Sequence, residues 1–255
     1  MEQLTPLAFC GICLLVGLGG FVDSIAGGGG LITLPAYLIG GLPVHAAVAT
    51  NKLSSTCGTL LTTIRFAREG MIRLGLAVPT VAAAIAGSAL GANLSLTLDE
   101  KVMLCILLVT LPVVAFAVFN RHILKDIGQE NERITPATYL TATLAALVIG
   151  VYDGIYGPGT GTFLIIALTV FSKLSMRTAA GHTKLINLAS NLTSLIVFLL
   201  HGQALIPLGI IAGFCNMAGA YIGSGMMLTK GMRIVRPVML CVLVLLFAKA
   251  AADLL

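Results

Sequence analysis

The chain has 255 residues, of which 58% are hydrophobic and only 10% are charged, and its formal net charge is +5. A soluble domain carries about a quarter charged residues, so a mean hydropathy of +1.03 excludes an ordinary soluble protein. In a membrane protein the excess of basic residues belongs mainly to cytoplasmic loops and does not indicate nucleic acid.

Apolar stretches long enough to cross about 30 Å of hydrocarbon recur along the chain. They are continuous rather than alternating, which predicts helices and not a β-barrel. We therefore predict an all-α polytopic membrane protein with five helical segments in each half. The first half is expected to contain segments near 5–24, 30–41, 44–66, 72–95 and 101–119. The second half is expected to contain segments near 135–153, 160–172, 176–200, 204–228 and 234–255.

The only long polar stretch lies at 120–135 and separates a first transmembrane repeat at 1–119 from a second at 136–255. We expect this linker to be a cytoplasmic surface loop. Both repeats contain an Asp, a glycine-rich break and a Lys in the same order. Asp23 corresponds to Asp153 at a shift of 130 residues (153 − 23), and Lys52 corresponds to Lys184 at 132 (184 − 52). A shared order at a nearly constant shift indicates internal duplication.

Loop charges predict that the two repeats have opposite orientations. Three arginines flank the loop after the third segment of the first half, whereas the equivalent loop at 201–204 has no Lys or Arg. The relation is reversed at 40–45, which has none, and its counterpart, which carries Lys173 and Arg177. The positive-inside rule then places equivalent loops on opposite faces. An inverted repeat needs an odd number of crossings, so five per half places both termini outside.

Glycine-rich breaks precede the short second segment of each repeat. Gly27 to Gly30 disfavour a continuous helix, and Pro158 interrupts the second copy. A helix that restarts after such a break presents free N–H groups and the positive end of its dipole, which suits an anion. Short segments beside glycine clusters, at equivalent places in two halves, point to a transporter site.

Lys52 and Lys184 lie within apolar sequence, where a charge is expensive and usually functional. They are candidates to neutralise an anionic substrate. Two alternatives stay open: buried ion pairs within each half, Asp23 with Lys52 and Asp153 with Lys184, or snorkelling towards an interface. The two carboxylates are candidates for proton carriage or for capping the broken helices. His182 has no charged counterpart and is either a core residue or a coupling group.

Amide and hydroxyl side chains surround each lysine, and Asn187 and Asn191 share a helix face with Lys184. We assign to coupling or ion pairing Asp23, Asp153 and His182. The predicted substrate-binding residues are Lys52, Lys184, Asn51, Ser55, Thr183, Asn187, Gly28, Gly29, Gly30, Gly159, Thr160 and Gly161.

Four segments carry a family resemblance: GFVDSIAGGGGLITLPAYL and AAVATNKLSS in the first half, GVYDGIYGPGTGTFLIIAL and AAGHTKLINLASN in the second. They resemble the TauE/SafE family of sulfite-exporter-like permeases, including its YfcA-like branch, over nearly the whole chain. The resemblance implies transport of a small sulfur oxyanion or organosulfonate, such as sulfite or sulfoacetate, driven by an ion gradient. The second copy departs from four glycines to Gly-Pro-Gly-Thr-Gly, which still breaks a helix. The resemblance does not select one substrate.

The favoured function is a secondary transporter of a small anion bound between the repeats. The alternatives are an anion channel or a non-transporting membrane subunit, and a membrane-embedded hydrolase, for which the chain lacks GxSxG, HExxH and carboxylate-rich motifs. We therefore predict no enzyme activity, catalytic residue, metal site or cofactor. Expected partners are a small anion, the lipid bilayer and a proton or other coupling ion, without nucleic acid. A homo-oligomer is compatible with the sequence, and the expected location is a prokaryotic cytoplasmic (inner) membrane.

Overall fold

A computed structural model describes residues 5–103, 105–106, 109 and 134–230, and all regular secondary structure within them is α-helical. The predicted segment at 234–255, most of 101–119 and the linker up to residue 133 lie outside the described residues. The helices of the first half are α1 (Pro6–Ala26), α2 (Gly30–Ile39), α3 (Val44–Arg68) and α4 (Leu74–Ser95), and residues 100–103 are also helical. Those of the second half are α5 (Pro136–Ile155), α6 (Thr160–Val170), α7 (Met176–Leu200) and α8 (Ile206–Lys230).

Five of these helices, α1, α4, α5, α7 and α8, are long and apolar enough to cross a membrane. Large apolar side chains such as Leu18, Leu90 and Val148 are exposed on their outer surfaces, where lipid covers them. α3 is also long, at 25 residues or about 38 Å, but it carries a buried polar face. α2 and α6, at 10 and 11 residues, are too short to span on their own, so the described helices do not confirm the predicted five crossings per half. The chain is an all-α polytopic integral membrane protein, as the sequence predicts.

Equivalent helices begin with equivalent signals. Thr5 caps α1 and Thr135 caps α5, each followed at once by a proline in the first helical turn. Each threonine hydroxyl accepts a hydrogen bond from the backbone N–H three residues later, which satisfies a donor that the helix leaves free. Proline suits this place because its missing N–H is not needed there. These caps set the starts of two helices that end at the glycine-rich breaks.

The halves pack against each other through small residues. On α4, a Cβ at Gly87 or Gly91 would overlap a backbone carbonyl of α5, and on α8 a Cβ at Gly219 or Gly223 would overlap a carbonyl of α1. Glycine therefore lets each pair of helices approach closely. The helix pairs α4–α5 and α1–α8 therefore each join one helix from the first half to one from the second.

The centre is formed by α3 and α7, which run antiparallel to one another. Residue numbers rise along α3 and the loop after it while those of their partners fall from the loop after α7 back along α7. Four hydrogen bonds of 3.1 Å each define this register: Leu205 N to Thr50 Oγ1, Lys52 Nζ to Asn191 Oδ1, Thr63 Oγ1 to Lys184 O, and Arg73 N to His182 Nε2. The helices that carry the two lysines therefore lie side by side at the core.

Candidate anion site

Two helix breaks form the walls of the site. α1 ends at Gly27, whose φ is +74°, and α2 begins at Gly30. In the second half, Gly157 and Gly159 have φ values of +97° and +85° on either side of Pro158, before α6 begins. Positive φ favours glycine, and proline cannot continue the helix. Both sequence-predicted breaks are therefore present.

The two breaks touch each other. A Cβ at Gly27 would overlap the backbone of Gly161, and a Cβ at Gly161 would overlap the backbone of Gly27. Only residues without a side chain permit this approach. The helix starts of α2 and α6 consequently lie on opposite sides of one small space, although they come from different halves of the chain.

The buried charges pair across the halves. Lys52 Nζ on α3 lies 2.8 Å from Asp153 Oδ2 on α5, and Lys184 Nζ on α7 lies 2.7 Å from Asp23 Oδ2 on α1. The alternative of pairs within each half, Asp23 with Lys52 and Asp153 with Lys184, is therefore wrong in its partners. The reason is the packing: α3 and α7 exchange neighbours, so each lysine reaches the carboxylate that ends the first helix of the other repeat. The crossed pairs join the two halves.

Both carboxylate oxygens of Asp153 accept hydrogen bonds. Its Oδ2 accepts from Lys52 and, at 2.5 Å, from the hydroxyl of Ser190, while its Oδ1 accepts from Thr160 Oγ1 at 2.8 Å. Its side chain is only 3% exposed. Lys52 also donates to Asn191 Oδ1 at 3.1 Å. Two acceptors for three ammonium protons leave Lys52 with one donor that has no acceptor among the described residues.

Asp23 is held more loosely. Its Oδ2 accepts from Lys184, which also donates to the backbone carbonyl of Asp23. Within the described ranges the other carboxylate oxygen has no hydrogen-bond partner, and the side chain is 19% exposed. Lys184 itself is as deeply buried as Lys52, at 2% side-chain exposure. The two pairs thus use the same chemistry in different surroundings.

Neither carboxylate caps a helix, which corrects that alternative. The N-cap residues of α2 and α6 are Gly29 and Gly159, and neither helix has a side-chain cap. Asp23 and Asp153 instead lie in the last turns of α1 and α5, where the helix dipole disfavours negative charge. The paired lysines offset this cost.

A cavity lies where the breaks, α3 and α7 meet. It leaves about 20 Å³ for the centres of water molecules, which is room for one or two waters. Its charged walls are Asp23, Asp153 and Lys52. The remaining lining is Gly27, Gly30, Gly157, Thr160 and Gly161 from the breaks, Asn51, Ser55 and Thr59 from α3, and Asn187 and Asn191 from α7.

Most of the predicted binding residues therefore meet in one place, but five do not reach the wall of this cavity: Lys184, Thr183, Gly28, Gly29 and Gly159. The predicted coupling residue His182 does not reach it either. Lys184 is screened by Asp23. Thr183 is fully buried. Sequence reasoning missed Thr59, which lies four residues after Ser55 and seven after Lys52. Helical periodicity places it on their face and was sufficient to find it.

His182 anchors a loop. Its Nε2 accepts a hydrogen bond from the backbone N–H of Arg73. At the equivalent place, Thr50 Oγ1 accepts from the N–H of Leu205, and both members are shifted by 132 residues (182 − 50 and 205 − 73). The His182 imidazole thus accepts the same loop hydrogen bond that the Thr50 hydroxyl accepts in the other half.

Spanning helices around two broken helices, with buried charges where the breaks meet, define a polytopic membrane transporter. The chain belongs to the family described as sulfite exporter TauE/SafE, whose family model matches residues 12–250. This confirms the resemblance, and it agrees with the expectation that the chain is a transporter and not an enzyme. No solved structure matches the chain.

Three curated relatives are named as probable membrane transporter proteins. ORF9 of Sinorhizobium sp is 36% identical over 236 residues, which is 92% of this chain and 89% of that protein. YfcA of Escherichia coli (strain K12) is 32% identical over 252 residues, or 98% of this chain and 92% of that protein. A protein of Haemophilus influenzae is 33% identical over 253 residues, with shares of 98% and 96%.

Proposed function

We propose that the chain is a secondary transporter that binds a small anion at Lys52, in the cavity between the two helix breaks. One observation carries the proposal: Lys52 is buried, lies at the cavity wall and retains one ammonium proton without an acceptor among the described residues. A buried ammonium with spare donor capacity is costly unless a ligand uses it.

The neighbours of Lys52 suit an oxyanion. Asn51, Ser55 and Thr59 recur every four residues along α3 and bring amide and hydroxyl groups to the same cavity. Gly30 and Gly161 belong to the first turns of α2 and α6. First-turn N–H groups and the helix dipole favour negative charge. Two helix starts and one ammonium therefore converge on a compact anion.

The size of the cavity indicates a closed state. Room for one or two waters is less than the four heavy atoms of sulfite need. An anion therefore has to displace Asp153 from Lys52 or separate the two breaks. Competition between substrate and Asp153 for one lysine links binding to a change in the contact between the halves, as alternating access requires.

The substrate class that we propose is a sulfur oxyanion or an organosulfonate, such as sulfite or sulfoacetate. The name of the family supports this class, and the compact cavity with hydroxyl, amide and ammonium donors is compatible with it. An anion channel remains the alternative. Counterflow separates the two: a transporter preloaded with unlabelled anion accumulates labelled anion transiently, whereas a channel does not.

We further propose that the two repeats, 1–119 and 136–255, have inverted topology in a bacterial cytoplasmic membrane, with both termini outside and the linker in the cytoplasm. The antiparallel run of the equivalent helices α3 and α7 supports this arrangement. Reporter fusions after Ala67 and after Gln203 are expected to lie on opposite faces. Finding both reporters on one face would contradict the inversion.

The binding proposal is tested with purified protein in detergent. Thermal unfolding is measured against sulfite, thiosulfate, sulfoacetate and taurine, because a ligand of the folded state raises the melting temperature. We expect at least one anion to stabilise the wild type, and Lys52→Ala to lose that shift. Lys101→Ala, which removes an exposed lysine, serves as the control.

Because Lys52→Ala leaves Asp153 unpaired, the double variant Lys52→Met/Asp153→Asn is measured beside it. Replacing both charges of a buried pair by neutral groups is often tolerated. Stabilisation by the same anion in the folded double variant would contradict the assignment to Lys52.

A further inference from the structure

We propose that Asp23 takes up a proton when the anion binds, so that one proton accompanies the anion in the cavity. This inference rests on the proposed function, since it needs an anion beside Lys52. It adds the identity of the coupling ion and the residue that receives it.

The two crossed pairs are balanced in charge. The crossed pairs contain two carboxylates and two ammonium groups, so their formal charges sum to zero. A bare monovalent anion makes this buried cluster net negative, and an uncompensated charge in a low-dielectric interior is strongly unfavourable. Uptake of one proton by a carboxylate restores the balance. Displacement of Asp153 from Lys52 increases the need, because a carboxylate then loses its cation.

The carboxylate of Asp153 is poorly suited to accept this proton. Lys52, Ser190 and Thr160 all donate hydrogen bonds to it. A proton on either carboxylate oxygen would place an O–H group beside these donors, and a hydrogen bond would be lost. Donors that favour the charged form of a carboxylate oppose its protonation. Asp23 has one oxygen without a hydrogen-bond partner in the described part of the chain, a 19% exposed side chain and a place on the cavity wall. A proton can therefore reach and occupy Asp23 without breaking a hydrogen bond.

Among the described residues, three charged groups surround Asp23. Lys184 on α7 pairs with it, and Lys52 on α3 and Asp153 on α5 share its cavity. α2 and α6 contribute Gly30 and Gly161 to that wall and carry no charged residue.

In the part of the chain that the structure describes, the other titratable groups near α1 are hydrogen-bonded elsewhere or are uncharged. Tyr37 on α2 donates to Ser54, and α8 carries no Asp, Glu, Lys, Arg or His before Lys230. Cys215 of α8 packs beside Gly17, two turns of helix before Asp23. Lys184, and at a greater distance Lys52, therefore oppose protonation of Asp23, whereas Asp153 and an arriving anion favour it.

The step is simple to balance. A proton from water joins the free oxygen of the Asp23 carboxylate, which becomes a neutral acid as the anion joins Lys52. Lys184 keeps its charge and its hydrogen bond to the Asp23 carbonyl. When the anion leaves, the proton returns to solvent. A metal cation needs several oxygen ligands, whereas a proton needs one.

The test measures proton uptake and anion binding together. Purified protein in weak buffer with a pH indicator receives methanesulfonate, a monovalent organosulfonate that is fully ionised near neutral pH. Thiosulfate and sulfoacetate are avoided because they are divalent there, and sulfite because it titrates there itself. We expect the wild type to take up about one proton per anion, and its Kd to rise about tenfold per pH unit where that uptake is complete. Asp23→Asn is expected to bind the anion with no proton uptake. Glu69→Gln, an exposed carboxylate outside the site, is expected to behave as the wild type.

The outcomes separate the two proposals. If none of the anions binds to the wild type, the proposed function fails. If an anion binds without proton uptake, or Asp23→Asn still takes up a proton, only the coupling inference is overturned. A requirement for Na⁺, seen when Na⁺ is replaced by choline, with no proton uptake, also overturns it. Should Asp23→Asn fail to fold, Asp23→Glu keeps a titratable acid and is expected to retain the uptake of one proton.

Discussion

The two crossed ion pairs occupy corresponding positions in the two halves but have different surroundings. Lys52 with Asp153 is hydrogen-bonded by serine and threonine hydroxyls, and both its lysine and its carboxylate line the cavity. Lys184 with Asp23 lines the cavity only with its carboxylate and has fewer donors around it. The cavity wall therefore includes both carboxylates but only one of the two ammonium groups, that of Lys52. The neighbouring residues of each pair account for this difference.

The difference can be traced to particular positions. Ser190, which donates to Asp153, corresponds to Gly58 (190 − 132 = 58), and Gly58 has no hydroxyl to offer Asp23. Gly58 is moreover packed against the side chain of Asn216, so no larger residue fits there. Thr160, the other donor, corresponds to Gly30 at the shift of 130. Because glycines occupy these two positions, Asp23 lacks the two hydroxyl donors that Asp153 has.

Neutralising the carboxylate of Asp153 should have the largest effect on stability. Asp153→Asn leaves Lys52 buried with a neutral partner, and breaking a buried pair in this way costs about 3–5 kcal/mol of stability. Asp23→Asn should cost less, because Lys184 keeps the Asp23 carbonyl. Melting temperatures in detergent measure both, with Glu69→Gln as the control. Equal losses for the two variants would remove the basis of the comparison.

The contact between the breaks should be the next most sensitive feature. Gly161→Ala places a methyl group on the backbone of Gly27, and overpacking of this kind costs about 1–3 kcal/mol. We expect a lower melting temperature and loss of anion transport. Gly11→Ala, where nothing lies within 4 Å, is the matched control and should be tolerated. Normal transport by Gly161→Ala would show that the breaks need not touch.

The hydrogen bonding around Asp153 can be reduced directly. Ser190→Ala removes one of its three donors, at a cost of about 1.5 kcal/mol for a hydrogen bond to a charged group. This variant makes Asp153 resemble Asp23. In the Asp23→Asn background, which is expected to take up no proton, we expect Ser190→Ala to recover part of the proton uptake, measured with the same indicator. An unchanged proton count would mean that donors around Asp153 do not set the difference between the carboxylates.

The smallest effect is expected at His182. Replacing it by threonine, the residue at the equivalent position 50, should change anion affinity by less than about twofold. Binding and proton uptake are measured as above. Loss of proton uptake in folded His182→Thr would restore the histidine as a coupling group and contradict its role as a loop anchor.

Much of the fold followed from the sequence, because lipid demands long apolar runs and glycine and proline interrupt them. The bounds of α7 agree with the predicted segment at 176–200, and both breaks occur at the expected glycines. The buried lysines and carboxylates were identifiable because charge is rare in apolar sequence. Thr59 was identifiable from its spacing to Lys52.

The pairing of the charges was not identifiable. Order along the chain suggests that Asp23 meets Lys52, but partners are set by which helices pack together, and hydrophobic periodicity does not specify this. The screening of Lys184 by Asp23 has the same origin. This pairing also gives the two lysines different access to the cavity, although their sequence contexts are similar. The participation of Lys184 in substrate binding stays a prediction.

The most direct test of the account compares Lys52→Met with Lys184→Met in folded, purified protein, using calorimetric titration with the anion that stabilises the wild type most. The account predicts that Lys52→Met loses binding by at least about a hundredfold, a loss of about 2.7 kcal/mol. Lys184→Met should bind within about tenfold of the wild type, because this lysine does not line the cavity. Equal losses in the two variants, or the loss of binding in Lys184→Met alone, would contradict the account.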